Sequence, residues 1–274
     1  NMTDITSAQH QQVTDLFANI WQNYIEVTPS AHKIHQLLGA GTDLINDHVA
    51  YRTFNHPKVN LVTLADHLVK LGYKDSGEYD FSSKKLNAKH FEHADPSLPK
   101  VFISELRIEE FSDEVQTILT KMIDSIDEAA VADQSFLYSG THWQVSQADY
   151  KTLLAESEYA AWVSAWGYRA NHFTVSINHL ENFTSIDAVN AIVKAGGFVL
   201  NTTGGEIKGN EIVKLEQSST MADKAVVKFS DGEATIPSCF YEFAKRYPLD
   251  CGTLYSGFVA ASADKIFEST NVAA

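Results

Sequence analysis

The feature that most constrains this chain is an approximate internal repeat. Each copy begins with a histidine in a short run of β-branched and aromatic residues and continues into an amphipathic helix that ends at glycine. Gly72 follows His48 by 24 residues, and Gly197 follows His172 by 25. Repeated units of this kind bury their apolar faces against each other, so we expect the two copies to form paired modules.

Each helix is followed by further segments that alternate in polarity and are separated by turn residues, which is typical of strands. The sequence therefore predicts an α+β fold, with two βαβββ modules at residues 47–108 and 171–246 pairing into an open barrel-like mixed sheet. The predicted strands after the helices are Tyr73 to Phe81, Ala88 to His93 and Val101 to Ile108 in the first module, and Phe198 to Thr202, Ile212 to Gln217, Ala225 to Phe229 and Cys239 to Phe243 in the second.

Helical segments flank these modules. Apolar residues at steps of three and four predict N-terminal helices within residues 7–41 and a helical insert at 112–167. The insert should contain one helix from Ser112 and a second that begins at Ser146 and carries Trp162 and Trp166 into the core. Residues 247–274 are expected to be a C-terminal tail. We expect the whole chain, 1–274, to form one domain.

Composition narrows the function. The chain has 21 basic and 35 acidic residues, a net charge of −14, which disfavours nucleic acid and anionic membrane surfaces as partners. An anionic small substrate stays compatible if an arginine or a metal supplies local positive charge. Two cysteines give neither a metal-finger spacing nor a disulfide framework, and no segment approaches the roughly 18 apolar residues of a membrane span. We expect a cytoplasmic protein. The sequence does not indicate its oligomeric state.

The candidate site follows from strand periodicity. Residues alternate between the two faces of a strand, so His48 and Arg52 should look into the same space, with Cα atoms about 13 Å apart. A pseudo-two-fold pairing of the modules would bring His48 and His172 together. Glu242, an acid within an apolar run, is the best candidate for a third ligand because a buried carboxylate needs a partner. Glu105 in the first module is its expected counterpart and could be a competing or a fourth ligand.

Two histidines and one carboxylate form the facial triad of non-haem Fe(II) oxygenases, although the same ligands also suit Zn, Mn or Ni. The same residues could instead have purely structural roles. A single histidine on a strand is usually structural, and only the matched places of His48 and His172 favour a ligand pair. Arg52 could serve in a structural ion pair. His90 and His93 should face opposite ways on a strand, and we expect them at the surface.

Four segments are together similar to one known family: Asp47–Phe54, Asn171–Thr174, Leu215–Thr220 and Phe240–Arg246. They resemble the 2-oxoadipate dioxygenase/decarboxylase family, whose βαβββ modules are of the vicinal-oxygen-chelate type. The resemblance covers roughly residues 30 to 260. It implies an Fe(II) enzyme that uses O2 to convert 2-oxoadipate to 2-hydroxyglutarate and CO2 in lysine degradation. It also implies that His48, His172 and Glu242 bind the iron and that Arg52 holds the substrate.

Two other hypotheses remain open from the residues. One is a metal-dependent hydrolase, lyase or isomerase on the same scaffold, acting through a metal-activated water or an enediolate. The other is a non-catalytic binding module in which the histidines belong to the core.

Overall fold

The computed structural model describes residues 2–39 and 41–272, with side chains from residue 7 onward. The helices are α1 (Met2–Ile25), α2 (Pro29–Gly39), α3 (Leu61–Val69), α4 (Asp113–Asp124), α5 (Glu128–Ala132), α6 (Gln147–Glu156), α7 (Glu158–Trp166), α8 (Ile186–Ala195) and α9 (Ala260–Ile266). The strands are β1 (Asn46–Phe54), β2 (Tyr73–Phe81), β3 (Leu86–His93), β4 (Lys100–Leu106), β5 (His172–Ser176), β6 (Lys208–Asn210), β7 (Leu215–Ser219), β8 (Lys224–Phe229), β9 (Gly232–Pro237) and β10 (Phe240–Arg246).

The predicted α+β fold is confirmed. Eight strands form one curled sheet in the order β2-β3-β4-β1-β5-β10-β7-β6. The two modules meet where β1 and β5 pair antiparallel, and each of these strands has a parallel neighbour from its own module, β4 and β10 respectively. The sheet therefore has a pseudo-two-fold arrangement in which β4 of the first module corresponds to β10 of the second.

Helix α1 covers the outer face of the second module. Its buried stripe places Trp21 and Tyr24 against Phe173 of β5, with ring centroids 5.0 Å apart in both pairs, and Trp21 also contacts Tyr241 of β10. Side chains alternate along each strand, so when Phe173 and Tyr241 point to α1, His172 and Glu242 point to the inner face. Because the apolar residues are buried on the outer face of the sheet, the polar residues that alternate with them lie on its inner face.

The second module departs from the predicted strand pattern. Residues 198–202 contribute only an isolated bridge between Leu200 and Thr220 rather than a strand. The next residues turn, with Gly204 and Gly205 both at positive φ, so the chain leaves the sheet and returns at β6. Strands β8 and β9 form a separate hairpin, and β9 was not predicted because its residues are largely exposed and show no clear alternation.

The insert is also more divided than predicted. The helix expected from Ser146 to Trp166 is broken at Ser157, whose side chain accepts from the amide of Ala160 and starts α7. A side chain that caps a new helix competes with continuation of the preceding one. Trp162 and Trp166 are both buried, and the predicted core role is confirmed.

The C-terminal segment closes the inner face of the sheet. It was predicted as a tail, yet it forms α9 and a 3-10 turn at Phe267–Thr270. Helix α9 contacts β2 as well as β6 and β7, which lie at opposite ends of the curled sheet. The helix therefore bridges the open side of the half-barrel. Within the described part of the chain, no helix has both the length and the apolar character needed to cross a membrane.

Candidate metal centre

The structure brings the three predicted ligands together on the inner face of the sheet. One side-chain atom each from His48, His172 and Glu242 lies within 4.8 Å of the others, and all three residues are buried. Strand register explains the cluster, because Thr174 of β5 is paired with His48 on one side and with Glu242 on the other. Three residues that are far apart in the sequence thus converge through the central ladder.

Glu242 lies between the two imidazoles. Its Oε2 is 2.9 Å from Nε2 of His48, and its Oε1 is 3.4 Å from Nε2 of His172. Thr174 and Gln217 both donate to Oε2, at 3.2 Å. Oε1 is buried and has no hydrogen-bond partner among the described residues. A buried carboxylate oxygen without a donor is costly, and a cation is the partner that would satisfy it.

Each histidine is oriented by the residue just before it. Nδ1 of His48 donates to Asp47 at 2.7 Å, and Nδ1 of His172 donates to Asn171 at 2.7 Å. Both imidazoles therefore direct Nε2 inward, in the tautomer that a metal ligand needs.

The two histidines differ in charge environment. Burial alone would lower the pKa of His48, but the carboxylates of Glu242 and Asp47 outweigh it and raise that pKa. His172 lacks a carboxylate behind it, and burial together with the charge of His48 lowers its pKa to about 3 despite Glu242. Burial opposes ionisation of Glu242 as well, yet the two imidazoles hold its pKa below the ordinary value. The centre consequently favours an ionised carboxylate and a neutral His172.

Arg52 lies at the other end of the same pocket. It is 3% exposed and donates from Nη2 to Oγ1 of Thr270 at 3.2 Å. Its guanidinium also faces aromatic rings, with centroids at 4.9 Å for Trp162, 5.1 Å for Tyr159 and 5.4 Å for Phe267. No carboxylate among the described residues forms an ion pair with it. A buried cation without an anion can bind one that arrives from outside.

The pocket between these two ends is largely aromatic. It runs from the histidines and Glu242 to Arg52. Its aromatic walls come from both modules and from the C-terminal segment: Phe102, Phe240, Phe258 and Phe267. A cation-binding cluster at one end and a lone guanidinium at the other suit an anionic ligand that also coordinates a metal.

Comparison with known proteins agrees with this geometry. The sequence model of the 2-oxoadipate dioxygenase/decarboxylase family matches residues 1–252. The chain belongs to this family. The chloroplastic/amyloplastic 2-oxoadipate dioxygenase/decarboxylase of Oryza sativa is 34% identical over 283 residues, covering 93% of this chain and 78% of the rice protein.

Two solved structures are similar over most of their length. The hydroxyglutarate synthase of Oryza sativa, in complex with 2-oxoadipate, has a TM-score of 0.88 and 34% identity, covering 96% of this chain and 93% of that one. A Shewanella frigidimarina protein described provisionally as a hydrolase also has a TM-score of 0.88, with 64% identity over 90% of this chain and 98% of that one.

Two of the sequence predictions about residues near the site, Glu105 and His90, are wrong. Strand register places Phe102, not Glu105, at the position equivalent to Glu242, because Ala50 pairs with Phe102 as Thr174 pairs with Glu242. Glu105 lies on the other face of β4 and accepts from the amide of Leu61 at the start of α3. It cannot compete as a ligand.

The expectation of a surface His90 is also wrong. The side chain is buried, 1% exposed, because β3 lies under the C-terminal segment. Its ring is hydrogen-bonded to Tyr79 at 2.9 Å and to Glu92 at 2.8 Å, and it contacts Phe258. Sequence spacing predicted only that His90 and His93 face opposite ways, and it did not indicate that a later segment would cover His90.

Sequence reasoning missed the residues that support the ligands. Asp47 and Asn171 precede the two histidines at the same place in each repeat, and that shared Asx-His pair was a readable signal. Gln217 and Phe258 had no such signal, because their roles depend on the strand register of β7 and on the fold of the C-terminal segment.

Proposed function

We propose that this protein is an Fe(II)-dependent dioxygenase that decarboxylates a 2-oxo dicarboxylic acid, with 2-oxoadipate as the substrate and 2-hydroxyglutarate and CO2 as products. The reaction balances, because a 2-oxo acid plus O2 contains the atoms of a 2-hydroxy acid one carbon shorter plus CO2. The observation that carries the proposal is a single pocket with the His48, His172 and Glu242 cluster at one end and Arg52 at the other. Family membership and the 2-oxoadipate complex of the rice relative support it.

The donor set fits a metal ion. His48, His172 and Glu242 would hold it through Nε2, Nε2 and a carboxylate oxygen, and the unpartnered Oε1 of Glu242 is the oxygen that such an ion would satisfy. Bound Fe(II) would supply coordination of the 2-oxo acid and of O2, with charge stabilisation during decarboxylation. Zn, Mn or Ni also suit these ligands, and metal analysis of the purified protein decides among them.

The remaining residues position the substrate and exclude water. Arg52 would bind the far carboxylate through a bidentate pair, since its guanidinium is buried and faces no protein anion at ion-pair distance in the described chain. Gln217 and Thr174 hold Glu242 in place through Oε2. Phe102 and Phe258 line the space between and keep it apolar, which strengthens the charge interactions at both ends.

The test is reconstitution with Fe(II) under anaerobic conditions, followed by addition of O2 and a panel of 2-oxo acids. We expect oxygen uptake and CO2 release in equal amounts, fastest with a dicarboxylic 2-oxo acid of about six carbons. Glu242→Gln should abolish both. Glu105→Gln, on the opposite face of β4, is the matched control and should retain both.

Other outcomes would favour the other hypotheses. Consumption of 2-oxoadipate at the same rate without oxygen would contradict the proposal and indicate a metal-dependent hydrolase, lyase or isomerase. Metal-free protein whose thermal stability does not respond to Fe(II) would indicate a non-catalytic binding module.

We further propose that residues 1–274 act as one metalloenzyme domain, because the N-terminal helices, the insert and α9 all pack on the same sheet. Limited proteolysis that releases a folded fragment lacking either module would contradict this. Lysine degradation and a cytoplasmic location also remain proposals; the rice relative is named as chloroplastic/amyloplastic, so cell fractionation is the required measurement.

A further inference from the structure

Arg246 links a predicted metal ligand to the segment that closes the pocket. It lies on β10, four residues after Glu242, and is 4% exposed. Its Nε and Nη2 donate to the two carboxylate oxygens of Asp47 at 2.8 and 3.1 Å. Asp47 in turn accepts from Nδ1 of His48. The guanidinium is therefore two hydrogen bonds away from the metal centre.

The other side of the same guanidinium holds the C-terminal segment. Nη1 donates to the carbonyls of Tyr255 and Gly257 at 3.0 and 2.7 Å. The guanidinium carbon also lies 5.0 Å from the ring centroid of Phe258. One planar group thus fixes a carboxylate on one edge and a backbone turn on another, which a flexible ammonium could not do.

The segment that Arg246 holds, residues 255–270, contacts both ends of the pocket. The ring of Phe258 packs edge-on against His48, with centroids 4.8 Å apart, and its amide donates to the hydroxyl of Tyr79 at 3.0 Å. Further along, Thr270 accepts from Arg52. If this segment lifts to admit substrate, Arg246 loses both carbonyl acceptors and the aromatic face at once.

We propose that Arg246 is a positioning residue that couples closure of residues 255–270 over the pocket to the orientation of His48. With the segment closed, Arg246 holds Asp47 and Asp47 holds the imidazole with Nε2 inward. With the segment open, Arg246 no longer has the carbonyls of Tyr255 and Gly257 to hold it. It then fixes the position of Asp47 less firmly. The consequence for catalysis rests on the function proposed above: the metal centre is fully ordered only when water is excluded.

A buried ion pair that only stabilises the fold is the competing interpretation, and two variants separate it from coupling. Arg246→Lys keeps the charge but cannot hold Asp47 and both carbonyls together. Tyr79→Phe removes the oxygen that accepts from the amide of Phe258 and is also hydrogen-bonded to His90, and it leaves the hydrogen bonds of Arg246 and Asp47 in place. Arg107→Lys is the control, because Arg107 also joins carboxylates to a backbone carbonyl but lies away from the pocket.

Three measurements are made on the full-length chain. Amide hydrogen exchange at residues 260–266 reports opening of the segment. The ¹⁵N–¹H signal of His48 Nδ1 in metal-free protein reports imidazole orientation. Titration with Co(II) reports the metal centre without turnover. For Arg246→Lys we expect faster exchange, a shifted or broadened His48 signal and Co(II) binding weakened about 10- to 100-fold. For Tyr79→Phe we expect the same three changes, with binding weakened less, about threefold, because Tyr79 supports the segment only through neutral hydrogen bonds to Phe258 and His90.

The proposal is overturned if Tyr79→Phe and Arg246→Lys speed exchange while the His48 signal and Co(II) binding stay as in the wild type. It is also overturned if neither variant changes exchange more than Arg107→Lys does. Should Arg246→Lys fail to fold, Tyr79→Phe alone decides. Should wild-type protein fail to bind Co(II) or Fe(II), the proposed function fails, and the exchange and His48 measurements still decide the coupling.

Discussion

The two modules share a backbone but divide the chemistry unequally. Superposition of their strand registers makes His48 equivalent to His172, and Phe102 equivalent to Glu242. The second module therefore contributes two of the three predicted ligands, whereas the first contributes one ligand and an aromatic wall. The repeated backbone gives the pairing of strands, and the differences between the modules at a few inward positions give the site.

The difference extends to charge. The first module has Arg52 four residues after its histidine, where the second has Ser176. The supports differ as well, since His48 is held by an ionised Asp47 and His172 by the neutral amide of Asn171. At these equivalent positions the first module thus has the charged residues Asp47 and Arg52, and the charged ligand, Glu242, belongs to the second module.

The largest expected effect comes from moving the carboxylate across the pseudo-two-fold axis. Glu242→Ala should lose Co(II) binding and turnover by on the order of a thousandfold, because two neutral imidazoles alone hold a divalent ion weakly. Adding Phe102→Glu to this variant places a carboxylate at the equivalent inward position. We expect metal binding, measured by Co(II) titration, to recover in part.

The control for that exchange is Glu105→Gln, on the other face of the same strand, which should leave metal binding unchanged. Absence of any recovery in the double variant would show that the two modules are not equivalent at the level of side-chain direction, whatever their strand register.

A smaller effect is expected from the arginine that only the first module has. Arg52→Ala should raise KM for the 2-oxo dicarboxylic acid about a hundredfold, the loss of a charge-assisted bidentate pair, and change kcat less. Ser176→Ala, at the equivalent place, should leave KM within about twofold, because a neutral hydroxyl offers no charge to the substrate. Steady-state kinetics with reconstituted enzyme gives both numbers. A similar KM increase for a monocarboxylic 2-oxo acid would contradict a role in holding the far carboxylate.

The two histidine supports should also respond differently. Asp47→Asn leaves Arg246 buried without its carboxylate, so it should weaken Co(II) binding at least about tenfold and lower the free energy of unfolding by about 3 kcal/mol. Asn171→Ala removes one neutral acceptor and should cost about 1 kcal/mol with a smaller effect on binding. Chemical denaturation and metal titration measure both. Equal losses in the two variants would mean that charge at Asp47 adds nothing to the neutral support.

These contrasts show what the sequence could and could not predict. The repeated histidines, the alternation along β1 and the buried acid in β10 were enough to bring His48, His172 and Glu242 into one cluster. The error at Glu105 arose because motif similarity does not determine register, and a shift of odd number moves a side chain to the opposite face. The closing role of residues 255–270 was also out of reach. Phe258 and Thr270 acquire their roles only through contacts with strands that lie far earlier in the chain.

The smallest expected effect concerns the insert that backs Arg52. Glu158 lines a neighbouring cavity with Arg52, and one of its carboxylate oxygens is buried without a hydrogen-bond partner among the described residues. Burial raises the pKa of Glu158 to about 7, although the charge of Arg52 opposes the shift. A carboxyl group whose pKa is higher in the folded state than in the unfolded state binds its proton more tightly when folded. Stability from this group is therefore present at low pH and is lost as pH rises through about 4.5 towards 7.

Glutamine mimics the protonated carboxyl, so Glu158→Gln should raise the melting temperature by about 2–4 °C at pH 8, the shift that about 1 kcal/mol gives in a chain of this size. At pH 5, where the folded-state carboxyl is already protonated, the same variant should have the melting temperature of the wild type. The matched control is Glu156→Gln, which lines the same cavity but is exposed and accepts from Ser112; it should gain nothing at either pH. A stabilisation by Glu158→Gln that is equal at pH 5 and pH 8 would exclude titration of this carboxyl and leave packing as the cause. An increase confined to pH 8 would show that Arg52 only partly compensates the partly buried Glu158, as expected of a guanidinium that retains charge for an incoming anion.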